Sequence, residues 1–349
     1  MGMRILITTV AGAAATALLF GCTGPSAPPA PAAPPKPPAS AASSTPPEWL
    51  YPKVVRAVVK DPNAPRHVPG SSATYTDGQL HDLFTTLDWR PEQHPPLPSV
   101  VAKGRQPDVQ ACGYCHLATG QGRPESAPVA GLPVAYFIGQ MQAFASNKRH
   151  TSSSGAVVRP DGTQGGGRLA MNSMAAKMTP DEMQAAAEYF AKLPYKPWIK
   201  VVETDTAPPL TYETAFPIPH PDQPAEPIAG RIVDMGTDPD RALIRDPDIG
   251  FIALVPKGSI ARGKALAETR VTGGPPACAA CHGAGLKGGP GAIAPPIAGR
   301  SPTYVARALY DFAHGSRDDA AAQPMKPSAA RLSLDDMVAL AAYVGSQQP

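Results

Sequence analysis

The chain has 349 residues, a formal charge of +3, only 17% charged and 6% aromatic residues, and 45 prolines. That length allows two or three domains of ordinary size, and the near-neutral charge gives no basis for nucleic acid or a strongly anionic partner. So few aromatic side chains argue against a large conventional core, so that a bulky apolar body buried with the protein would have to supply part of it.

Residues 1–22 read as an export signal: Arg4 is the only early charge, and an apolar run from Ile5 to Phe20 precedes Gly21-Cys22. A run of that length is short for a membrane span and suits a signal peptide, a membrane anchor being the alternative. Leu19-Phe20-Gly21-Cys22 resembles a bacterial lipobox, which makes Cys22 the expected lipid-attachment residue, although Phe20 departs from the usual small residue. Residues 23–47 are Pro, Ala and Ser with one charge, Lys36. They cannot bury enough apolar surface to fold and read as an extended tether of at most about 80 Å. Residues 48–98 are expected to wrap the first domain, with a short helix capped by Thr76 and Gln79 and running through Leu87 before Pro91, Pro95, Pro96 and Pro98 break regular structure.

Two Cys-x-x-Cys-His motifs follow: Cys112-Gly113-Tyr114-Cys115-His116 and Cys278-Ala279-Ala280-Cys281-His282. This spacing is a signature of covalent haem attachment, in which two thiols add to the two vinyl groups of one porphyrin and the histidine becomes the proximal iron ligand. A redox dithiol or half of a zinc site is the competing reading. Zinc prefers paired Cys-x-x-Cys knuckles in one site, and here 165 residues separate the motifs. The five cysteines are then fully used, four on haem and one on lipid, leaving none for a disulfide.

An internal repeat surrounds the motifs. Pro128-Val129-Ala130-Gly131 is echoed by Pro296-Ile297-Ala298-Gly299, Tyr136 by Tyr304, Phe144 by Phe312 and Arg149 by Arg317, all 168 residues apart. The repeat resumes as Met171 to Thr179 against Met325 to Ser333 at an offset of 154, so that the first unit carries 14 extra residues, in the Ser/Gly-rich stretch Thr151–Gly167. That insert reads as an exposed loop. Each unit should close with a capped helix: Thr179, Pro180 and Glu182 begin one, Ser333 and Asp336 the other. Met183, Ala187 and Phe190, and in the second unit Met337, Ala341 and Val344, form their core-facing stripes. Between the units, residues 197–256 suggest a small covering piece with short strands at Arg231–Val233 and Phe251–Val255.

The order Cys-x-x-Cys-His, Pro-x-Ala-Gly, a Tyr/Phe/Arg helix, Met and a capped terminal helix resembles the small class I cytochromes c, and the tandem resembles bacterial dihaem cytochromes c. The resemblance covers residues 99–196 and 257–349. It implies an all-α fold of two cytochrome c domains with irregular Pro-rich segments, and two haem c groups. It also implies Met171 and Met325 as the axial ligands opposite His116 and His282, with Met174 a rival to Met171. A proline carbonyl in this family receives the haem histidine N–H. Pro295 occupies that position in the second unit, whereas the first has Ala127 there and Pro128 one residue later. Arg149 and Arg317 are candidates for pairing with haem propionates or for surface salt bridges. The remaining histidines, His67, His81, His94, His150, His220 and His314, read as surface residues.

The implied function is electron transfer in the periplasm, without a catalytic residue, by a protein held at a membrane through its lipid. It would take electrons from a dehydrogenase or membrane complex and pass them toward an oxidase or another cytochrome. Three other readings remain in view: the cytochrome subunit of a larger dehydrogenase, a dihaem peroxidase, which would need an open iron position and a distal base, and a gas-sensing haem module.

Overall fold

The computed structural model describes residues 45–349 except 53, 56–58, 153–155, 159–163, 167–169, 214–215, 270–275 and 290–293. The expected leader, Cys22 and nearly all of the tether lie outside the described residues. Among the described residues, no helix is long and apolar enough to cross a membrane.

Twelve helices are present among the described residues: α1 Asp77–Leu80, α2 Ser99–Ala102, α3 Cys112–His116, α4 Val134–Ala145, α5 Ala170–Lys177, α6 Pro180–Ala191, α7 Pro239–Leu243, α8 Ser259–Glu268, α9 Ala279–His282, α10 Pro302–Ala313, α11 Lys326–Ala329 and α12 Leu334–Ser346. Helices α2–α6 belong to the first repeat and α8–α12 to the second. Both closing helices begin in capping boxes, in which the Thr179 or Ser333 hydroxyl accepts from the backbone of Glu182 or Asp336 while that carboxylate accepts from the cap residue's own N–H. Behind the caps, Met183, Ala187 and Phe190 join one core with Phe137 and Met141, and Met337, Ala341 and Val344 join the other with Val305 and Tyr310.

The Pro-x-Ala-Gly segments fold alike. Gly131 and Gly299 take left-handed φ values of 69° and 70°, which glycine adopts without steric cost. Each then donates its N–H to the last turn of its own closing helix, Gly131 to the Phe190 carbonyl and Gly299 to that of Val344, both at 3.0 Å. The turn therefore ties the motif region to the closing helix in both units.

Three expectations need correction. The helix begun by Thr76 has the expected capping box but ends at Leu80. Beyond it, Asp82 accepts from the backbone of Phe84 and the hydroxyl of Thr85, and Thr86 donates to Ala102, so that turn and tertiary bonds outcompete the helix. The insert is not simply a loop: Ala156–Val158 and Gln164–Gly166 pair antiparallel, and the former runs parallel to Val54–Val55 of the wrap. Nor is the chain as a whole all-α. Phe251–Pro256 pairs with Val233–Gly236 and with Ile199–Thr204. Its residues alternate between buried and half-buried, the period of a strand with one face on a core.

The repeats meet at equivalent positions. Arg149 and Arg317 face each other in an antiparallel bridge, flanked by His150 N–H to Ser316 O at 2.8 Å and Asp318 N–H to Lys148 O at 2.6 Å.

Candidate haem sites

In the first unit, α3 is fixed from outside the repeat. Ala111 donates to the Leu83 carbonyl at 3.0 Å, and a Cβ on Gly113 would lie 2.5 Å from the Thr86 side chain, so that glycine is required there. The Arg245 guanidinium lies 4.2 Å from the centre of the Tyr114 ring and donates to the Leu80 carbonyl at 2.8 Å. Trp89 donates to the Ile244 carbonyl at 2.8 Å, tying the wrap to the segment between the units. Gly113 and Tyr114 are buried beneath these contacts. In the second unit Ala279, Ala280 and Cys281 are exposed.

The two motif histidines are held in the same way. His116 Nδ1 is 2.7 Å from the Ala127 carbonyl and His282 Nδ1 is 2.9 Å from the Pro295 carbonyl. A carbonyl can only accept, so each Nδ1 carries the proton and each Nε2 keeps its lone pair, the arrangement a metal-binding imidazole needs. Burial pulls both imidazoles below their ordinary pKa, favouring that neutral form. Pro295 occupies the acceptor position that the resemblance gives it. Pro128 does not: its carbonyl accepts from Arg300 Nη1 at 2.6 Å, because Ala127 already stands where Pro295 stands in the repeat.

Cys112, Cys115, Cys278 and Cys281 are free thiols. Burial pushes Cys112 up to about 12 and raises Cys115 and Cys278, so that these sulfurs carry no charge at neutral pH. Met171 lies in the first turn of α5 and packs against the same core as Cys112. Its backbone is positioned by Asn172, whose side-chain amide donates to the carbonyls of Phe144 at 2.9 Å and Arg149 at 2.8 Å. Met174, one turn on, is buried. Met325 precedes α11 and packs against Phe312, Ala322 and Ala329.

Arg149 and Arg317 are not exposed salt-bridge partners. Arg149 Nη1 and Arg317 Nη2 both donate to Gln140 Oε1, at 2.7 and 2.8 Å, and no carboxylate lies within 4.0 Å of either guanidinium among the described residues. Burial, together with the adjacent Arg317, lowers the pKa of Arg149. Arg317 is buried and Arg149 half-buried, and two like charges on one acceptor are costly unless an anion neutralises them. Arg317 Nε, Arg300 Nη2 and Arg245 Nε are moreover buried with no hydrogen-bond partner. A porphyrin fits this donor set: its propionates would supply the missing acceptors, and the four thiols and two oriented imidazoles match its covalent and axial attachments.

Sequence reasoning missed Gln140, Arg245 and Arg300. Arg300 left one signal, a charge directly after the second Pro-x-Ala-Gly where the first unit has Leu132. His94 is also not a surface residue: its side chain is 2% exposed, with Nε2 on Asp88 at 2.9 Å. A cleft of about 550 Å³ between Leu193–Lys200 and Pro247–Ile252 contains none of the expected site residues.

Comparison with known proteins accords with this arrangement. Residues 260–348 match the family model for cytochrome c. The chain is 25% identical to cytochrome c4 of Azotobacter vinelandii over 247 residues, 70% of this chain and 87% of that protein. It is 37% identical to cytochrome c4 of Pseudomonas aeruginosa over 87 residues, 24% of this chain and 43% of the relative. It is 42% identical over 72 residues to the thiosulfate dehydrogenase electron acceptor of Thiomonas intermedia, 21% of this chain and 32% of the relative. The chain thus spans less than half the length of the Pseudomonas and Thiomonas relatives. These likenesses place a cytochrome c domain at residues 260–348 and relate the longer chain to dihaem cytochromes c4.

Proposed function

We propose that this chain is an exported electron carrier with two covalent haem c groups, His116 and Met171 ligating one iron and His282 and Met325 the other. The observation that carries this reading is the repeated geometry of the two motifs: each histidine follows paired cysteines and is turned by a backbone carbonyl so that its Nε2 is free to bind metal. When bound, each haem supplies an iron that cycles between ferric and ferrous. The chain's residues do the rest. The thiols fix each ring, the carbonyls of Ala127 and Pro295 hold the imidazoles, the methionine sulfurs saturate the irons, and Arg149 and Arg317 neutralise propionates at the boundary between the units.

Cys22 would carry the lipid that holds the protein on the periplasmic side of a membrane, with residues 23–47 as tether. Donor and acceptor are then redox proteins, a dehydrogenase or membrane complex on one side and an oxidase or cytochrome on the other. A role in accepting electrons from a dehydrogenase is favoured by the likeness to the Thiomonas protein, which is named a thiosulfate dehydrogenase electron acceptor.

Two spectra test the reading directly, the pyridine haemochrome for covalent attachment and the native ferric spectrum for axial ligation. Two haems per chain should resist acidified acetone, and the low-spin His/Met bands should change by half in Met171→Ala and in Met325→Ala. Haem extracted by acetone would refute covalent attachment. Spectra unchanged in both variants would refute methionine ligation.

A further inference from the structure

We infer that Arg300 is the positioning residue that couples the two haem sites to each other. The inference rests on the proposed function, since it takes His116 and His282 as the proximal ligands.

A continuous path of covalent and hydrogen bonds joins these histidines, and Arg300 is its centre. His116 Nδ1 donates to the Ala127 carbonyl at 2.7 Å. The next residue, Pro128, accepts at its carbonyl from Arg300 Nη1 at 2.6 Å. The same guanidinium donates through Nε to the Pro296 carbonyl at 2.7 Å. Pro296 follows Pro295, whose carbonyl accepts from His282 Nδ1 at 2.9 Å. Pro128 and Pro296 are equivalent positions of the repeat, so one guanidinium grips the same carbonyl in both units. The position equivalent to Arg300 in the first unit is Leu132, so that the second unit alone provides the bridge.

Arg300 is 3% exposed, and no carboxylate lies within 4.0 Å of it among the described residues. Tyr195 packs beside the guanidinium, its ring centre 5.2 Å away, and the Tyr195 hydroxyl donates to the adjacent Gly299 carbonyl at 2.8 Å. The bridge is therefore buried and held on both sides. Its planar fork is what allows two divergent carbonyls to be held at once; a lysine ammonium on its flexible stem would not hold both.

Two consequences follow for electron exchange. Tunnelling decays less steeply through bonded and hydrogen-bonded atoms than across gaps, so the path should speed passage of one electron from the ferrous iron of one unit to the ferric iron of the other. In that step one iron is oxidised, the other reduced, and no bond or proton changes place. A buried cation between the sites also disfavours the more positive ferric state of both irons, which raises both potentials.

Arg300→Lys and Arg300→Leu separate these roles. Haem content and His/Met bands, recorded first on the wild-type protein, test the proposed function independently: their failure overturns that reading whatever Arg300 does. Exchange NMR on the haem methyl signals of half-reduced protein then reads the inter-haem rate, and spectroelectrochemistry reads the two potentials. In Arg300→Lys the exchange should slow several-fold while both potentials stay near their wild-type values. In Arg300→Leu the exchange should slow as much and both potentials should fall. Arg307→Gln removes a different bond between the units, from Arg307 to the Pro124 carbonyl, and should leave the exchange rate unchanged. The inference is overturned if Arg300→Lys, with both haems bound, exchanges at the wild-type rate. It is equally overturned if Arg307→Gln slows exchange as much as Arg300→Lys does, since general loosening of the boundary would then suffice. Should Arg300→Leu fail to retain haem, the Arg300→Lys result decides alone.

Discussion

In the first unit the residues between the attachment cysteines lie beneath the wrap and the inter-unit segment, whereas in the second they face solvent. The second unit begins with ten-residue α8, which crosses α12 so closely that a Cβ on Gly263 would lie 1.9 Å from the Ala339 carbonyl. The first unit begins with four-residue α2. Its motif is covered instead by Thr86 and Arg245, both from outside the repeat, with Trp89 tying their two segments together. The segments that look like decoration in sequence thus serve one repeat and not the other. In the proposed dihaem protein the second porphyrin would be the one that outside reagents reach more easily.

The strongest way to break this comparison is to remove one attachment site at a time. Cys112→Ser with Cys115→Ser, and separately Cys278→Ser with Cys281→Ser, should each halve the covalent haem per chain in the haemochrome assay. Loss of all haem from either double variant would mean that the units do not hold their porphyrins independently. Support of the motifs comes next. Trp89 is 1% exposed, and Trp89→Ala should cost about 3–5 kcal/mol through the cavity it leaves, with the optical change confined to one haem. Gly263→Ala is the matching test in the second unit, where overpacking should cost about 1–3 kcal/mol. Urea titrations followed at the Soret band measure both. If each variant disturbed both haems equally, the two supports would not be separate.

What was legible in the sequence was local or repeated. The attachment motifs, the capping boxes at Thr179 and Ser333 and the paired Pro-x-Ala-Gly turns are each specified by a few neighbouring residues, and the repeat pointed to Arg149 and Arg317 as a matched pair. Arg300 and Arg245 were not legible, because each occurs once and takes its meaning from carbonyls more than 160 residues away. In the inter-unit segment the strand at Phe251–Pro256 was legible from its apolar run, but its parallel partner Ile199–Thr204 was not, because that pairing joins residues more than 50 apart. The capping box at Thr76 was read correctly, but nothing local shows that Thr86 bonds Ala102 and ends the helix early.

The two coverings should also respond differently to pH. Asp234, on the strand that packs against the second unit, is buried, and its Oδ2 accepts from the Ser301 hydroxyl at 2.5 Å and the Thr303 N–H at 3.3 Å. Burial pushes its carboxyl up to about 6, and Tyr212 and Arg307 share its field. The native state then holds this proton more tightly than the unfolded chain does, so stability falls as pH rises from about 4, the ordinary aspartate value, to about 6. The change should approach about 3 kcal/mol, two units of pKa. Asp234→Asn should flatten urea midpoints measured across that window, and an unaltered slope would show that another group sets it.

His94 gives the smallest effect and the opposite location, on the covering of the first unit. Its Nε2 contacts Asp88 and its Nδ1 the Pro95 carbonyl, both at 2.9 Å, and its ring lies 6.3 Å from that of Tyr189 on α6. Both neighbours accept hydrogen bonds, so the imidazolium fits better than the neutral ring, and the bond to Asp88 raises the histidine pKa. A raised histidine contributes fully below its ordinary value of about 6.5 and loses the contribution as pH climbs through the raised one. Asp88 remains partly exposed, so the pair is worth about 0–1 kcal/mol. Amide exchange in residues 82–94 should therefore quicken modestly from mildly acidic to alkaline pH, beyond the intrinsic base catalysis of exchange, and His94→Gln should abolish that excess without touching the Asp234 window. Excess exchange that persisted in the variant would assign the anchoring of this segment to Trp89 and not to His94.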